Sequence, residues 1–483
     1  MTSTLTPTAE LYLDGAWITG GAGTFTSVDP ATAEPLVEVA AADAADVDRA
    51  VAAATRALRG DWAATPPSAK GALLHTLAGL VERDVETLAR LEAQDMGVPL
   101  GIARGLFVPN LVASLRYYAG WADKINGELL GTDGYFGAPT HSYTRREPIG
   151  VIAAIVPWNA PLMILGWKLA PALATGNTVI VKPAEDASLS ILHLARLVEE
   201  AGFPAGTVQV LPGPGDVTGE ALTLHPGVHK VSFTGSTEVG RRILRNSATH
   251  FTRTTLELGG KSPQIVFADA DLESAVRGLA MGLFTNQGQV CAAGTRILVH
   301  RSVADAVLDG LKQAAEAQVL GNPLAADTTM GPLVSAAQRD RVLGYVHRGL
   351  EEGATLVTGG AAPEGPGHFV APTVFAGGND LTIAREEIFG PVGTVITFDD
   401  DAEAIALAND NRYGLAATVW TSDVRRAHVV AAALEAGAVG VNGWSPLAPQ
   451  LPWGGVKASG IGRELGFEGI LANTESKTVT VVL

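Results

Sequence analysis

Residues 151–181, VIAAIVPWNAPLMILGWKLAPALATGNTVIV, contain two short apolar runs on either side of a helical pattern. The runs Val151–Val156 and Thr178–Val181 predict strands, whereas Leu162–Ala174 predicts a helix. A strand, a helix and a strand in this order predict a βαβ unit, whose two strands lie parallel in one sheet. Ligands bind at the carboxyl ends of the strands of such sheets, so the residues that follow each strand are candidate site residues.

The same alternation of strands and helices continues after this unit. Before Gly260, further strands are predicted at Val208–Leu211, Lys230–Phe233 and Thr254–Leu258, with helices at Leu189–Ala201 and Thr237–Asn246. The pattern predicts an α/β fold with a doubly wound parallel sheet. A second α/β segment begins near Gly260, and its predicted strands are Gln264–Phe267, Arg296–Val299, Thr355–Thr358 and Thr394–Phe398.

The segments outside this alternation have different compositions. The first third is rich in alanine, and its periodicity predicts helices at Asp43–Arg59 and Ala69–Asp95, the second ending before Gly97. Residues 125–146 are rich in glycine and threonine and then charged, so we interpret them as an excursion from the first domain. The tail Lys477–Leu483 alternates between threonine and valine and predicts a terminal strand that can pair with another chain.

Composition excludes several classes of function. The 483 residues include 34 lysines and arginines against 50 aspartates and glutamates, which gives a net charge of −16, and the pI is near 5.1. A chain this acidic has no electrostatic footprint for nucleic acid or for an anionic membrane. Hydrophobic residues make up 47% of the chain and charged residues 17%, which excludes a disordered protein.

Targeting signals and disulfides are not expected. The single cysteine, Cys291, allows no intramolecular disulfide, which fits a reducing compartment. Residues 1–10 lack the basic and apolar regions of a secretory signal. Residues 150–167 carry no formal charge, but Pro157 and Pro161 interrupt them, so a single spanning helix is not expected. The sequence predicts a cytoplasmic protein without a membrane partner.

Two residues have the chemistry of a covalent catalyst. Cys291 follows the amides and glycine of Asn286-Gln287-Gly288-Gln289, where nearby backbone N–H groups are expected to lower the pKa of its thiol. The alternative for Cys291 is a small buried hydrophobic residue. Glu257 lies between leucines at the end of a predicted strand, where burial is expected to raise its pKa towards that of a general base. The alternative for Glu257 is a carboxylate at a sheet edge that faces water.

Three further segments follow predicted strands. Asn159 is able to donate a hydrogen bond to an oxyanion, although a turn residue is the simpler interpretation. Phe233-Thr234-Gly235-Ser236 opens a helix whose free N–H groups suit a phosphate, although a plain helix cap explains it nearly as well. Lys182 and Glu185 suit ribose hydroxyls, and a solvated turn is the alternative. No group of His, Cys, Asp and Glu residues has convincing metal-ligand spacing, so no metal is expected.

Taken together and in this order, the segments resemble the aldehyde dehydrogenase superfamily. The resemblance extends from about Tyr12 to Val482. Its motifs are Pro157-Trp158-Asn159, Lys182-Pro183-Ala184-Glu185, Phe233-Thr234-Gly235-Ser236-Thr237, Glu257-Leu258-Gly259-Gly260-Lys261, Gly288-Gln289-Val290-Cys291, Glu387-Ile388-Phe389-Gly390-Pro391, Pro452-Trp453-Gly454-Gly455-Val456-Lys457 and Ser459-Gly460-Ile461-Gly462-Arg463-Glu464. The combination is highly specific, although several of the motifs are weak alone.

The resemblance implies a subunit with three parts. It implies a Rossmann-type dinucleotide-binding domain over residues 1–124 and 147–257, and an α/β catalytic domain over residues 258–457. It implies that residues 125–146 and 472–483 form a small β element through which the chains assemble. The expected assembly is a homodimer or a homotetramer.

The resemblance also implies a reaction, the oxidation of an aldehyde to a carboxylic acid. Cys291 would attack the aldehyde carbon, while the side chain of Asn159 and the backbone N–H of Cys291 hold the oxyanion. Loss of hydride would leave a thioester on Cys291, and Glu257 would activate the water that hydrolyses it. Lys168 and Glu464 match the positions that relay the proton from Glu257.

The implied cofactor is NAD. The charge of Glu185 would repel the 2′-phosphate of NADP, which is therefore the less favoured cofactor. The residues that the resemblance assigns to cofactor binding are Ile155, Pro157, Trp158, Lys182, Ala184, Glu185, Gly215, Phe233, Thr234, Gly235, Ser236, Val239, Leu258, Gly259, Gln338, Arg341, Glu387 and Phe389.

The implied substrate pocket is mostly apolar. Its residues are Met163, Trp167, Phe284, Val290, Ala292, Trp444 and Leu447. Such a pocket favours an aromatic or aliphatic aldehyde similar to phenylacetaldehyde. Betaine-aldehyde members of the family surround a quaternary ammonium with aromatic rings, whereas Ala160 and Thr285 leave part of such a cage missing here.

Two alternatives to hydrolytic aldehyde oxidation are open at this point. The first is a CoA-acylating semialdehyde dehydrogenase, which passes the acyl group to coenzyme A and has no need of a water-activating base such as Glu257. The second is a non-catalytic binding protein on the same fold, which has no need of the full set of catalytic residue types.

Overall fold

The structure, a computed structural model, describes residues 10–444 and 447–483. The strands of its first half are β1 Leu11–Leu13, β2 Ala16–Ile18, β3 Thr24–Val28, β4 Pro35–Ala40, β5 Leu129–Leu130, β6 Thr140–Pro148, β7 Val151–Ile155, β8 Thr178–Lys182, β9 Val208–Val210, β10 Lys230–Thr234 and β11 Arg253–Glu257. Those of its second half are β12 Pro263–Val266, β13 Arg296–His300, β14 Thr355–Thr358, β15 Thr373–Ala376, β16 Val392–Phe398, β17 Tyr413–Gly414, β18 Ala416–Trp420, β19 Ala438–Val441, β20 Val456–Lys457, β21 Gly460–Ile461 and β22 Thr474–Val482.

The α-helices lie between these strands. They are α1 Ala44–Ala57, α2 Asp61–Ala64, α3 Pro67–Arg83, α4 Val85–Met96, α5 Leu100–Ile102, α6 Val108–Ala119, α7 Pro161–Ala174, α8 Leu189–Glu200, α9 Glu220–Leu224, α10 Thr237–Ser247, α11 Leu272–Phe284, α12 Ala304–Glu316, α13 Ala336–Glu351, α14 Thr382–Arg385, α15 Asp401–Asn409, α16 Val424–Ala433 and α17 Glu468–Leu471.

The first sheet has eight strands in the order β2-β1-β9-β8-β7-β10-β11-β21. Strands β9, β8, β7, β10 and β11 are parallel, as the strand and helix alternation predicts. Side chains of β7 alternate between two cores: Ile152 and Ala154 pack with α7 and α8, and Val151 and Ala153 pack with α1. Burial on both faces explains why β7 is a continuous apolar run without polar positions.

The second sheet has seven strands in the order β14-β15-β16-β13-β12-β18-β19. The predicted strands β12, β13, β14 and β16 are confirmed, with ends shifted by two residues at most. The sequence analysis missed β15, β18 and β19. These segments, TVFA, AATVW and AVGV, are only four or five residues long, so each gives too short a pattern to predict a strand from the sequence. They become strands by pairing inside the sheet, β18 with β12, β15 with β16 and β19 with β18.

The predicted helix Ala69–Asp95 is wrong in one respect, because two helices, α3 and α4, occupy this segment. Asp84 separates them with φ −96° and ψ 15°, outside the helical region. Aspartate favours helix ends because its carboxylate competes for local hydrogen bonds, and here it binds Arg83 and His193. The predicted end is correct, since Gly97 closes α4 with φ +84°.

Strands β6 and β22 form a long antiparallel pair that β5 extends to a three-stranded sheet. Asn177 fixes the base of this pair to the first sheet. Its Oδ1 accepts from the N–H of Gly150, 2.8 Å away, and its Nδ2 donates to the carbonyl of Asn473 at 2.9 Å and to Oγ1 of Thr175 at 2.7 Å. The side chain is fully buried, so each of these bonds satisfies a group that water does not reach.

No helix within residues 10–444 and 447–483 is both long enough and apolar enough to cross a membrane. The predicted domain of residues 1–124 includes nine residues that lie outside the described part of the chain, and residues 445 and 446 of the predicted catalytic domain lie outside it as well. Strand β21, which the predicted domain ranges leave unassigned, pairs with β11 at the edge of the first sheet.

Replacement of Asn177 by alanine is expected to lower the free energy of unfolding by about 3 kcal/mol, because the buried N–H of Gly150 and the buried carbonyl of Asn473 lose this partner together. The measurement is the midpoint of denaturant unfolding. Asn126 is exposed, and Asn126→Ala is the matched control, expected to change the free energy by less than about 0.5 kcal/mol. Equal midpoints for the two variants would contradict the structural role of Asn177.

Candidate active site

Three parallel strands bring the candidate residues to one edge of the first sheet. Phe233 of β10 pairs with Ile155 of β7, and Thr234 of β10 pairs with Glu257 of β11. The three strands therefore end at the same level, and the segments that follow them share one face. Asn159 follows β7 in this arrangement, and Gly235 donates its N–H to the carbonyl of Glu257, 3.0 Å away.

Two cavities lie along this edge, with empty volumes of about 760 Å³ and 990 Å³. The first contains Cys291 and Asn159 in its wall, and the second contains Lys182 and Glu185. They are contiguous, because both are lined by Pro157, Trp158, Thr234 and Gly235. Together they form one long cleft across the ends of β7, β8 and β10.

All of the predicted cofactor residues line this cleft. The part near Cys291 has Ser236, Leu258, Gly259, Gln338, Arg341, Glu387 and Phe389 besides the shared residues. The part further from Cys291 has Ile155, Lys182, Ala184, Glu185, Gly215, Phe233 and Val239. The sequence analysis missed several lining residues of the second part, which are Val156, Asp216, Gly219, Glu220, Thr223, Arg242 and Ile243.

Polar groups in the second part of the cleft are arranged in a small network. Nζ of Lys182 lies 3.1 Å from Oε2 of Glu185, and Oε1 of the same carboxylate accepts from the N–H of Gly215 at 2.7 Å. At the start of α10, Oγ of Ser236 accepts from the N–H of Val239, which leaves other N–H groups of that helix end free for an anion.

Glu387 lies in the first part of the cleft, opposite the end of β11. Its Oε1 accepts from the N–H of Gly260 at 2.9 Å, and a side chain at Gly259 would collide with Oε2. Burial raises the pKa of Glu387 to about 7, although the hydrogen bond from Gly260 opposes the shift. The side chains of Gln338 and Arg341 hold the backbone of this region by donating to the carbonyls of Phe389 and Glu387, both at 2.8 Å.

The loop before Cys291 has an unusual backbone. Asn286, Gln287 and Gly288 have consecutive φ values of +51°, +57° and +69°, all in the left-handed region. A Cβ at Gly288 would collide with the carbonyl of Gly390, so only glycine fits there. Left-handed conformations of non-glycine residues are costly and are found where the surroundings enforce them, typically at functional sites.

The expected low pKa of Cys291 is wrong. Burial, with the charges of Glu387 and Glu257, raises the pKa of the thiol to about 12, and the backbone N–H of Ala292 only partly offsets this. The glycine-rich context correctly predicts nearby N–H groups, but a sequence does not show how strongly the fold desolvates the thiol. The residue remains partly exposed to the cleft, so water and small reagents reach it.

Asn159 is buried beside the Cys291 loop. Its Nδ2 donates to the carbonyl of Gln289 at 2.9 Å, and its backbone carbonyl accepts from Nδ2 of Asn286 at 2.7 Å. A carboxamide carries two N–H bonds, and this one lines the same cavity wall as Cys291. The amide is therefore held by the loop that carries the thiol.

Glu257 is buried, and neither of its carboxylate oxygens has a hydrogen-bond partner among the described residues. The backbone of Gly454 lies directly against it, since a Cβ there would be 2.7 Å from Oε1. Burial, followed by the charge of Glu464, raises the pKa of Glu257 well above its ordinary value, against the smaller effects of Lys168 and Arg463. The direction agrees with the sequence-based expectation.

Lys168 and Glu464 meet in the interior next to Glu257. Nζ of Lys168 lies 2.6 Å from Oε1 of Glu464, and both residues are buried. Ser232 joins them, because its hydroxyl donates to the same oxygen at 3.0 Å and lies 3.4 Å from Nζ. The sequence analysis missed Ser232, although its place in the alternating pattern of β10, on the same face as Thr234, is a usable signal.

The predicted substrate residues do not line the two cavities that form the cleft. Val290 and Ala292 flank Cys291, and the indole N–H of Trp444 donates to the carbonyl of Ala292 at 3.2 Å. The remaining four residues are dispersed. Met163 and Trp167 belong to α7 and are buried in the core beside the first sheet, Phe284 packs in the core of the second sheet, and Leu447 lines a separate cavity with Trp453.

Comparison with known proteins identifies the family. The model of the aldehyde dehydrogenase family matches residues 17–479. The chain belongs to the aldehyde dehydrogenase family. The mitochondrial aldehyde dehydrogenase of Homo sapiens is 45% identical over 477 residues, which are 98% of this chain and 92% of the human protein. The predicted family and the prediction of an enzyme are thereby confirmed.

Two solved structures of family members have the same fold. The NAD⁺ complex of an aldehyde dehydrogenase from Bacillus cereus has a TM-score of 0.96 and 44% identity, and the match covers 98% of this chain and 96% of that one. An indole-3-acetaldehyde dehydrogenase of P. syringae, in complex with NAD⁺ and IAA, has a TM-score of 0.97 and 42% identity over 99% of this chain and 97% of that one. The predicted α/β fold class is confirmed.

Alkylation of Cys291 tests the raised pKa directly, because the chain has no other thiol. Only the thiolate reacts, so the rate of iodoacetamide labelling of the cofactor-free protein is expected to rise about tenfold per pH unit from pH 7 to pH 10. The rate is measured by intact mass, with Cys291→Ala as the blank. A plateau below pH 9 would mean that the thiol is activated in the free protein, against the structure.

Proposed function

We propose that this chain oxidises an apolar aldehyde to its carboxylic acid with NAD as the hydride acceptor. The observation that carries the proposal is that Cys291, Asn159, Glu387 and Phe389 line one cavity. Next to it lies the carboxylate of Glu257, which acts on Cys291 through its charge and has no hydrogen-bond partner among the described residues. Oxidation of an aldehyde needs four things in one place: a nucleophile, an oxyanion donor, a cleft for the cofactor and a desolvated base.

The cleft fits a dinucleotide. Its length spans the ends of three parallel strands, the helix N-terminus at Ser236 suits a pyrophosphate, and the paired Lys182 and Glu185 suit ribose hydroxyls. The relative from Bacillus cereus is an NAD⁺ complex, which supports the same cofactor here. The carboxylate of Glu185 would lie close to a 2′-phosphate and repel it, which favours NAD over NADP.

The thiol of Cys291 loses its proton to solvent in the cleft and its sulfur then bonds to the aldehyde carbon, which converts the carbonyl oxygen to an oxyanion. The second N–H bond of the Asn159 amide and the backbone N–H of Cys291 stabilise that oxyanion. When bound, NAD accepts the hydride that leaves this carbon. A thioester on Cys291 remains.

Glu257 then removes a proton from the water that attacks the thioester carbon, the carbon–sulfur bond breaks, and the carboxylic acid leaves. A carboxylate with a raised pKa is a stronger base than an ordinary glutamate, which suits it to this step. The adjoining Lys168 and Glu464, joined through Ser232, take the proton onward from Glu257. The same water-activating group argues against transfer of the acyl group to coenzyme A.

The proposed substrate is an aromatic or aliphatic aldehyde. Trp444 places an indole beside Ala292, next to the proposed nucleophile. The P. syringae relative is named for indole-3-acetaldehyde, a bulky aromatic substrate, which supports this class.

We propose that the protein is a cytoplasmic homodimer or homotetramer assembled through the β5, β6 and β22 sheet. In support, Val481 and Val482 near the end of β22 are about half exposed, as expected of a strand that pairs with another chain. The division into domains over residues 1–124 with 147–257, 258–457 and 125–146 with 472–483 is part of the same proposal.

NADH formation over a panel of aldehydes tests the proposed function. Phenylacetaldehyde and indole-3-acetaldehyde are expected to give a higher kcat/KM than glyceraldehyde or betaine aldehyde, and Cys291→Ala is expected to be inactive, because no other thiol replaces the nucleophile. The product is identified with and without coenzyme A, and the free acid is expected in both cases.

The cofactor is compared in the same assay. NAD is expected to give a kcat/KM at least about tenfold above that of NADP. Glu185→Gln is expected to lower this NAD-to-NADP ratio of kcat/KM, because it removes the charge that repels the 2′-phosphate. Equal use of NADP by the wild type would overturn the cofactor preference. Turnover by Cys291→Ala, or an acyl-CoA product, would overturn the reaction.

A further inference from the structure

Helix α7, which follows the turn of Asn159, begins without a cap of its own. Its N-cap is Ala160, which has no side-chain acceptor, and Pro161 at the first helical position has no N–H. Leu162 donates its backbone N–H to Oε1 of Glu92, 3.0 Å away. The first N–H groups of a helix have no partner within it, so Glu92 supplies from another helix the acceptor that a serine or aspartate cap supplies elsewhere.

Glu92 lies near the C-terminal end of α4 and is 1% exposed. Its second oxygen, Oε2, has no hydrogen-bond partner among the described residues. Burial, aided by the charge of Asp95, raises the pKa of Glu92 to about 8, although the bond from Leu162 opposes the shift. The group is therefore mainly a neutral carboxylic acid at neutral pH. Burial of a carboxyl group with a single hydrogen-bond partner costs stability. The role of Glu92 is therefore sought in its hydrogen bond with the N–H of Leu162.

The turn that Glu92 caps is the one that carries the proposed oxyanion donor. On one side of this turn, the loop before Cys291 holds Asn159 through Asn286 and Gln289, at 2.7 Å and 2.9 Å. On the other side, Glu92 holds the N–H of Leu162. The amide of Asn159 is thus fixed between two elements, and only the Cys291 loop belongs to the cleft itself.

The same end of α4 also contacts the Cys291 loop, because the carbonyl of Gly97 accepts from Nε2 of Gln287 at 3.3 Å. The C-terminal end of α4 therefore contacts both the start of α7 and the Cys291 loop. The relative position of these two segments sets the distance between the proposed oxyanion and the amide of Asn159. A displacement of about 1 Å in such a site costs on the order of 10²-fold in rate.

We propose that Glu92 is a positioning residue for aldehyde oxidation. By accepting the N–H of Leu162 it fixes the first turn of α7, so that the amide of Asn159 points at the oxyanion of the substrate bound to Cys291. The inference rests on the proposed role of Asn159.

Two variants of similar volume separate the hydrogen bond from the packing. Glu92→Gln keeps an oxygen for the N–H of Leu162, whereas Glu92→Leu fills the site and leaves that N–H without an acceptor. With phenylacetaldehyde, Glu92→Leu is expected to lower kcat by about 10- to 100-fold with an unchanged KM for NAD, and Glu92→Gln is expected to stay within about threefold of the wild type. A purely structural role predicts a lower thermal midpoint and an unchanged kcat per folded molecule, which would overturn the proposal.

A double-mutant cycle with Asn159→Ala tests whether Glu92 acts through Asn159. Asn159→Ala alone is expected to lower kcat by about 10²–10³-fold, and Glu92→Leu is expected to cost nothing further in that background. Additive losses would overturn the inference but leave the proposed function intact. A normal kcat for Asn159→Ala would overturn the oxyanion assignment of the proposed function, and this inference with it.

If Glu92→Leu does not fold, Glu92→Asp gives the same test, because it keeps the acid and withdraws it from Leu162 by one methylene. It is expected to lower kcat in the wild-type background and not in the Asn159→Ala background. An unchanged kcat in both backgrounds would overturn the inference.

Discussion

The parallel pairing of β7, β10 and β11 sets the geometry of the whole site. Because Phe233 is level with Ile155, and Thr234 with Glu257, the three strands end together and their following segments must share one edge. A slip of one residue would turn the alternating side chains to the opposite face and separate Glu257 from Lys168 and Glu464. The cleft and the positions of Asn159 and Glu257 at its edge are consequences of this register.

Desolvation is the second constraint, and it acts on the charges at that edge. Cys291, Glu257 and Glu387 all have raised pKa values because the protein desolvates them, and for Cys291 also because the charges of Glu387 and Glu257 lie close by. For Glu257 and Glu387, a pKa raised above the unfolded value means that the folded state holds protons that the unfolded state releases. These groups therefore favour folding below pH 4 and lose that contribution as the pH rises through their folded pKa values. At neutral and alkaline pH, burial of these two carboxyl groups therefore lowers the free energy of unfolding.

The sequence was sufficient for the parts of the structure that depend on local pattern. Apolar runs predict β7, β8, β10 and β11, and the residues that the family resemblance assigns to the cofactor all line the cleft at the ends of these strands, although seven further lining residues were missed. The sequence analysis missed the break between α3 and α4 at Asp84 and the short strands β18 and β19. Tertiary packing decides these features. The pKa of Cys291 and the contributions of Ser232 and Glu92 also depend on which groups the fold brings together out of water, and no single-sequence pattern contains that information.

We propose that Glu257 acts after Cys291, on the thioester and not on the aldehyde. Intact mass spectrometry of Glu257→Gln, mixed with NAD and phenylacetaldehyde, tests it most directly, because an acyl group adds a defined mass to the only cysteine. One equivalent of NADH and a persistent acyl adduct on Cys291 are the predicted result. Steady turnover without an adduct, or no NADH and no adduct from a folded variant that binds NAD, would contradict it.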